Sequence, residues 1–170
     1  AFVELFLERF GITYSFVRTE PAAIESAIRP ETRIIYIETP TNPLLSIIDI
    51  REVAGIASQH NCISIIDNTF ATPIHQNPVP LGVDIVLHSG TKYLGGHSDL
   101  SCGAVSSSAA LCSKIRKTAT NFGGNINPFT CYLLERSLKT LAVRVKQQSQ
   151  NAFAIAEYLN DHPGVQQIYY

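Results

Sequence analysis

The sequence lacks tryptophan and methionine altogether, and its four cysteines, at 62, 102, 112 and 131, never fall in a CxxC pair. That spacing argues against a zinc cluster and against a small disulfide scaffold, and it fits reduced thiols in a cytoplasmic compartment. Strong charge of either sign is also missing: 13 Lys and Arg oppose 14 Asp and Glu, for a net charge of -1, and the basic residues form no run. Neither nucleic acid nor an anionic membrane is an expected partner. No apolar run approaches the ~20 residues of a bilayer span, and the N-terminal AFVELFLERFG is interrupted by Glu4, Glu8 and Arg9, unlike a signal-peptide core. Without an initiator methionine, and ending at Tyr170 just after the strand-like VQQIYY, the chain reads as a piece of a longer protein.

What is present is enough apolar material, 45% of residues, for one sizeable core. The periodicity alternates along the chain. RIIYIE (33 to 38) is a short apolar run, IREVAGIASQHN (50 to 61) has helical spacing, and CISIID (62 to 67) is a second run, together one βαβ unit. GVDIVLHS (82 to 89) and GAVSSS (103 to 108) supply two further strands, with helices expected near 21 to 28 and 109 to 118. Runs that are apolar throughout indicate strands covered on both faces, so the expected class is α/β: three layers, with a mostly parallel sheet flanked by helices. From Asn127 onward there is a capping residue, then Pro128, then neither Gly nor Pro until Pro163, which predicts one long helix. The expected organisation is a cofactor-binding α/β domain over 1 to 127 and a long helix over 128 to 170 leading towards a further domain.

Ligands of a parallel α/β sheet sit at the carboxyl ends of its strands. Three clusters of polar residues come after the apolar runs: Glu38, Thr39, Thr41 and Asn42; Asp67, Asn68 and Thr69; His88, Ser89, Thr91 and Lys92. In adjacent strands spaced ~4.8 Å apart, Asp67, Asn42 and Lys92 would lie within about 10 Å of each other. A phosphate-binding P-loop is excluded because in SGTKYLGG the lysine precedes the glycine pair, and a G-x-G-x-x-G dinucleotide fingerprint is absent. His75, His88 and His97 match no metal-ligand spacing, so no metal is expected. Phe70 and Tyr93 read as wall residues, and Asp67, Asn42, Thr39 and Thr41 also have simple turn roles. A lysine among hydroxyls and glycines, one strand from an aspartate, nevertheless has what pyridoxal phosphate needs. It offers a nucleophile for the aldehyde, neutral donors for the phosphate, and a carboxylate for the ring nitrogen. Gly95 and Gly96 would let the backbone pass close to the cofactor.

The segments IETPTNP, DNTFATP and DIVLHSGTKYLGGHSD, in this order and separation, resemble the Cys/Met-metabolism family of pyridoxal-phosphate enzymes, the transsulfuration enzymes. The resemblance continues through LLERSLKTLAVRV to the end of the chain. It implies the aspartate-aminotransferase-like fold (PLP fold type I, large domain) and a homotetramer made of two active dimers. It further implies that Lys92 forms the internal aldimine and then shuttles protons, that Asp67 pairs with the ring nitrogen, and that Thr69 is a second cofactor contact. Ser89 and Thr91 would bind the phosphate, and Asn42 would serve both the cofactor's phenolic oxygen and the substrate carboxylate. The expected activity is γ-elimination or γ-replacement on cystathionine or homoserine-derived amino acids. The neighbouring alternatives are methionine γ-lyase, cystathionine β-lyase and O-acylhomoserine sulfhydrylase; a non-catalytic α/β interaction module is an alternative of another class. The family's ring-stacking tyrosine, its glycine-containing phosphate loop and its carboxylate-clamping arginine fall outside these 170 residues, so the chain by itself is expected to be inactive.

Overall fold

The computed structural model describes residues 6–170; residues 1 to 5, which begin the expected first domain and include Glu4, lie outside the described region. Four strands form one sheet in the order β1 (Ile34–Glu38), β2 (Ile63–Asp67), β3 (Ile85–Ser89) and β4 (Gly103–Ser107). The first three are parallel and β4 returns antiparallel to β3. The mostly parallel α/β class expected from the apolar runs is therefore present. Six α-helices accompany the strands among the described residues: α1 (Pro21–Ser26), α2 (Ile50–Gln59), the single turn α3 (Thr72–His75), α4 (Ala109–Phe122), α5 (Pro128–Leu138) and α6 (Leu141–Asn160).

Local chemistry sets the helix starts. Asp49 accepts from the Glu52 N–H at 3.0 Å, Ser108 from Leu111 at 3.3 Å and Asn127 from Thr130 at 2.8 Å, each filling an otherwise orphan donor of a first turn. Pro128 then occupies a position where its missing N–H costs nothing. The 128 to 160 stretch is not one helix, because it breaks between Leu138 and Leu141 into α5 and α6. There Thr140 has left helical dihedrals (φ -109°, ψ 2°), so the expected long helix, for which a bend is allowed, is two helices meeting at a corner. VQQIYY forms no strand either, since none of the four described strands pairs with it.

Side chains alternate across the sheet. Ile35, Ser64, Ile66 and Val86 point to one face, where α2 delivers Ile50, Val53, Ala54, Ile56 and Ala57; Ile66 and Ala57 are fully buried. The opposite face is less covered by the described residues, and Ile34 and Tyr36 remain more than half exposed. A smaller apolar cluster of Leu94, Leu141 and Val145, with Tyr93 and Leu134 against it, fastens the segment after β3 to the α5–α6 corner. The sheet thus fixes where β1, β2 and β3 end, and the corner fixes the turn that leaves β3.

Candidate functional site at the carboxyl rim of the sheet

The register aligns Glu38 of β1 with Asp67 of β2, and Asp67 with Leu87 of β3, so the three polar clusters emerge along one rim. Asp67 is anchored at both oxygens. Oδ1 accepts from the Thr69 N–H at 2.9 Å and Oδ2 accepts from the Tyr36 hydroxyl at 3.3 Å. Thr69 in turn accepts the Ser89 N–H at 2.7 Å, tying the end of β2 to the end of β3 and leaving its own hydroxyl proton to donate elsewhere.

Lys92 lies three residues beyond β3, in the π-type turn Gly90–Leu94. Its dihedrals (φ -88°, ψ -116°) depart from helical values, so the turn is kinked at the lysine itself. The side chain is exposed, and its amine has no hydrogen bond or ion pair among the described residues. Thr91 stabilises the far side of the turn, accepting from Cys102 N–H at 3.2 Å and reaching Ser101 Oγ at 3.5 Å. The glycines have a role within this turn itself. A Cβ on Gly90 would strike Cys102 Sγ, one on Gly95 would lie 2.8 Å from the Gly90 carbonyl, and one on Gly96, whose φ is +76°, would collide with Arg144.

Asn42 is exposed in the loop after β1, which contains cis peptide bonds before Pro40 and Pro43. Thr39 and Thr41 are used within that loop: Thr39 Oγ1 accepts from Ile48 N–H at 3.2 Å and Thr41 Oγ1 from Ser46 N–H at 2.9 Å. The loop is also locked to the β2 rim through Gln76, which donates to the Thr39 carbonyl at 2.8 Å and to Asn68 Oδ1 at 2.7 Å. Asn68 is almost wholly buried and Thr39 nearly so. Buried polar groups need full partnering, and this network provides it at the junction of two site loops.

The rim is acidic. Burial, and then the neighbouring Asp67 charge, raise the Glu38 pKa, while the Asn42 backbone N–H opposes the rise. Burial of its phenol first, followed by the Asp67 carboxylate, pushes Tyr36 up to about 12, so it remains a hydrogen-bond donor through the physiological range. Burial lowers the His88 pKa against the pull of Asp67. His75 pairs with Ser149 and His97 with the Gly95 carbonyl, so these histidines have separate partners. No group of three metal-ligating side chains occurs among the described residues.

The sequence reading placed Asn68 in the cluster after β2 but missed Tyr36, Gln76 and Arg144 as parts of this site. Tyr36 had a usable signal, because it stands two residues before Glu38 on the same strand and must share its face. Asn68 stood inside the DNTFATP motif. Gln76 and Arg144 act through contacts distant in sequence, which periodicity does not reveal.

The donor set fits pyridoxal phosphate in kind: an unpaired primary amine, a carboxylate with acceptor capacity left, and neutral hydroxyls at Thr69 and Ser89. Across its full length, residues 1–170, the chain matches the family model described as Cys/Met metabolism PLP-dependent enzyme. A probable cystathionine gamma-synthase of Herpetosiphon aurantiacus is 44% identical over 162 residues, 94% of this chain and 51% of the relative. A cystathionine beta-lyase of Lactococcus lactis subsp. cremoris is 45% identical over 166 residues, 96% of this chain and 44% of the relative. The crystal structure of cystathionine gamma-lyase from Lactobacillus plantarum, complexed with L-serine, superposes with a TM-score of 0.94 at 48% identity, covering 99% of this chain and 45% of that one. The chain spans about half the length of the curated relatives it matches.

Proposed function

The chain belongs to the Cys/Met-metabolism family of PLP-dependent enzymes, and on that premise we propose that the protein is a transsulfuration enzyme acting at the γ-carbon of a sulfur or homoserine-derived amino acid. The observation that carries this reading is the juxtaposition at the sheet rim of Asp67, Thr69, Ser89 and the turn bearing Lys92, within a chain that matches the family throughout.

In this reading Lys92 Nζ holds the cofactor covalently, Asp67 holds a proton on the ring nitrogen, Ser89 donates to the phosphate, Thr91 joins it by turning its hydroxyl proton from Ser101 Oγ, and Thr69 makes a further contact. Pyridoxal phosphate, when bound, supplies an electron sink for the pair left when a Cα–H bond breaks. The released Lys92 amine takes the proton from substrate Cα and, for γ-chemistry, moves a second proton at Cβ. Asn42, exposed at the mouth of the rim, binds the substrate carboxylate. Glu38 and Asp67, paired in register, place two carboxyl groups at the rim where a protonated ring is to be held.

Relatives named for γ-synthase, β-lyase and γ-lyase activity lie within 44 to 48% identity of this chain, so identity does not select the reaction. The preference for γ-chemistry rests on the segments IETPTNPLL and DNTFATPIHQNP. A cytoplasmic location and a homotetramer belong to the same proposal. Support for assembly comes from Phe153, Ile155 and Tyr158, all more than half exposed on α6, and α6 is taken to lead towards a further domain.

The test uses the full-length protein loaded with pyridoxal phosphate. An absorbance band near ~420 nm that borohydride removes, with the label mapped to residue 92 and lost in Lys92→Ala, is the expected result. A band that survives Lys92→Ala overturns the assignment. Product analysis then sorts the chemistry: 2-oxobutyrate from cystathionine, or cystathionine from an acylhomoserine and cysteine, supports γ-chemistry, whereas pyruvate from cystathionine moves the protein to the β-branch.

A further inference from the structure

The turn carrying Lys92 is short and kinked at the lysine. Its closing bonds run from Gly95 N–H to the Gly90 carbonyl at 2.8 Å, spanning the non-helical Lys92, and from Gly96 N–H to the Lys92 carbonyl at 2.7 Å. The next two carbonyls, of Tyr93 and Leu94, face a single side chain on α6. Arg144 donates from Nη1 to Tyr93 O at 2.8 Å and from Nη2 to Leu94 O at 3.4 Å. The same guanidinium is fixed from behind, by Nη2 to Ser137 O at 2.9 Å and by Nε to Thr140 Oγ1 at 3.1 Å. Neither ion pair among the described residues involves it. Its planar fork of donors is therefore spent on carbonyl and hydroxyl oxygens.

We propose that Arg144 is a positioning residue for Lys92, clamping the backbone immediately after the lysine so that its exposed, unpaired side chain leaves the turn in one direction. The proposal rests on the reading that Lys92 carries the cofactor. Three features argue for positioning beyond simple adhesion. The clamp engages the carbonyls of the two residues directly after Lys92, not a remote part of the loop. Only glycine at position 96 leaves room for the guanidinium, since any Cβ there would collide with Nη1. Adhesion of the same corner is already supplied by Leu94 against Leu141 and Val145, so the polar clamp adds direction to a contact the apolar cluster has made. A reactive group displaced by about 1 Å can lose on the order of a hundredfold in rate, which is the scale on which such a clamp matters.

The experiment compares full-length wild type, Arg144→Ala, Arg144→Lys and Val145→Ala, the last loosening the same corner through its apolar side. Two quantities are read: the fraction of bound pyridoxal phosphate that borohydride fixes to residue 92, and amide exchange over residues 90–96 in cofactor-free protein. Expected for Arg144→Ala are a fixed fraction lower by about fivefold or more, faster exchange across the turn, and partial recovery of fixation on adding methylguanidinium. Arg144→Lys keeps the charge without the fork, so its fixed fraction falls between. Val145→Ala loses stability with the fixed fraction kept near wild type. The proposal is overturned if Arg144→Ala fixes cofactor as wild type does, or falls no further than Val145→Ala. Should Arg144→Ala not fold, Arg144→Lys decides, and wild-type fixation in it overturns the proposal. If wild type itself is not fixed at residue 92, the reading of Lys92 fails instead, and exchange over the turn separates the two failures.

Discussion

The phenolic hydroxyl of Tyr36 lies 3.3 Å from Oδ2 of Asp67, crossing from β1 to β2 at the rim where their carboxyl ends meet. Because the phenol is held neutral up to about 12, it keeps its proton to donate to this carboxyl group through the working pH range. Removing it in Tyr36→Phe leaves Asp67 with the Thr69 N–H as its one remaining donor among the described residues. Tyr36 is 57% exposed, so the bond belongs at the low end of the ~0.5–1.5 kcal/mol range. The expected outcome is a dissociation constant for pyridoxal phosphate weaker by about two- to fivefold, read by titrating the visible band.

Asp67→Asn tests the carboxylate itself. The amide still occupies the same space, but it cannot hold a proton on a ring nitrogen by charge. Turnover is expected to fall by at least roughly a hundredfold, the lower bound of what a positioned proton-holding group contributes. The same substitution removes the second-largest cause of the raised Glu38 pKa, so Glu38 should titrate closer to its ordinary value. Both readings come from one variant, by initial rates and by carboxyl-carbon NMR.

The parts of this arrangement legible in the sequence were those encoded locally. The strands declared themselves as apolar runs, and the polar residues after each run mark the rim whatever the loops do; Asp67, Ser89 and Lys92 needed only that β1, β2 and β3 be neighbours. The helix caps at Asp49, Ser108 and Asn127 are equally local. The break at Thr140 was not legible, because no Gly or Pro marks it and the corner forms where Leu141 and Val145 bury against Leu94. The roles of Gly90, Gly95 and Gly96 were also hidden, since each is set by a neighbour, Cys102, the Gly90 carbonyl or Arg144, that the turn meets only on folding.

His88 carries a pH prediction. Its folded pKa is depressed, chiefly by burial, whereas an unfolded histidine titrates near ~6.5. As pH falls through that value the unfolded chain takes up a proton that the folded chain resists, so stability present above it is lost on acidification. His88→Gln should show a shallower decline of the urea midpoint between about pH 7.5 and 5.5 than wild type. Asp67→Asn, which removes the opposing pull, should show a steeper one. Equal slopes in all three would mean that His88 does not titrate differently on folding.

Ile66 immediately precedes Asp67 and points to the opposite face, where it is fully buried among Ile50, Ala54, Val83 and Val86. Its substitution therefore separates stability from chemistry at adjacent positions of one strand. Ile66→Ala removes well-packed atoms and leaves a cavity, for an expected loss of about 2–5 kcal/mol, while Ile66→Val should cost about 0.5–1.5 kcal/mol. Denaturant unfolding measures both. Because Asp67 is fixed by Thr69 and Tyr36 on its own face, Ile66→Val should bind pyridoxal phosphate within about twofold of wild type, although Ile66→Ala lowers the folded population. A large loss of cofactor affinity in the folded Ile66→Val protein would mean that the carboxylate is positioned through the core and not by its hydrogen-bond partners.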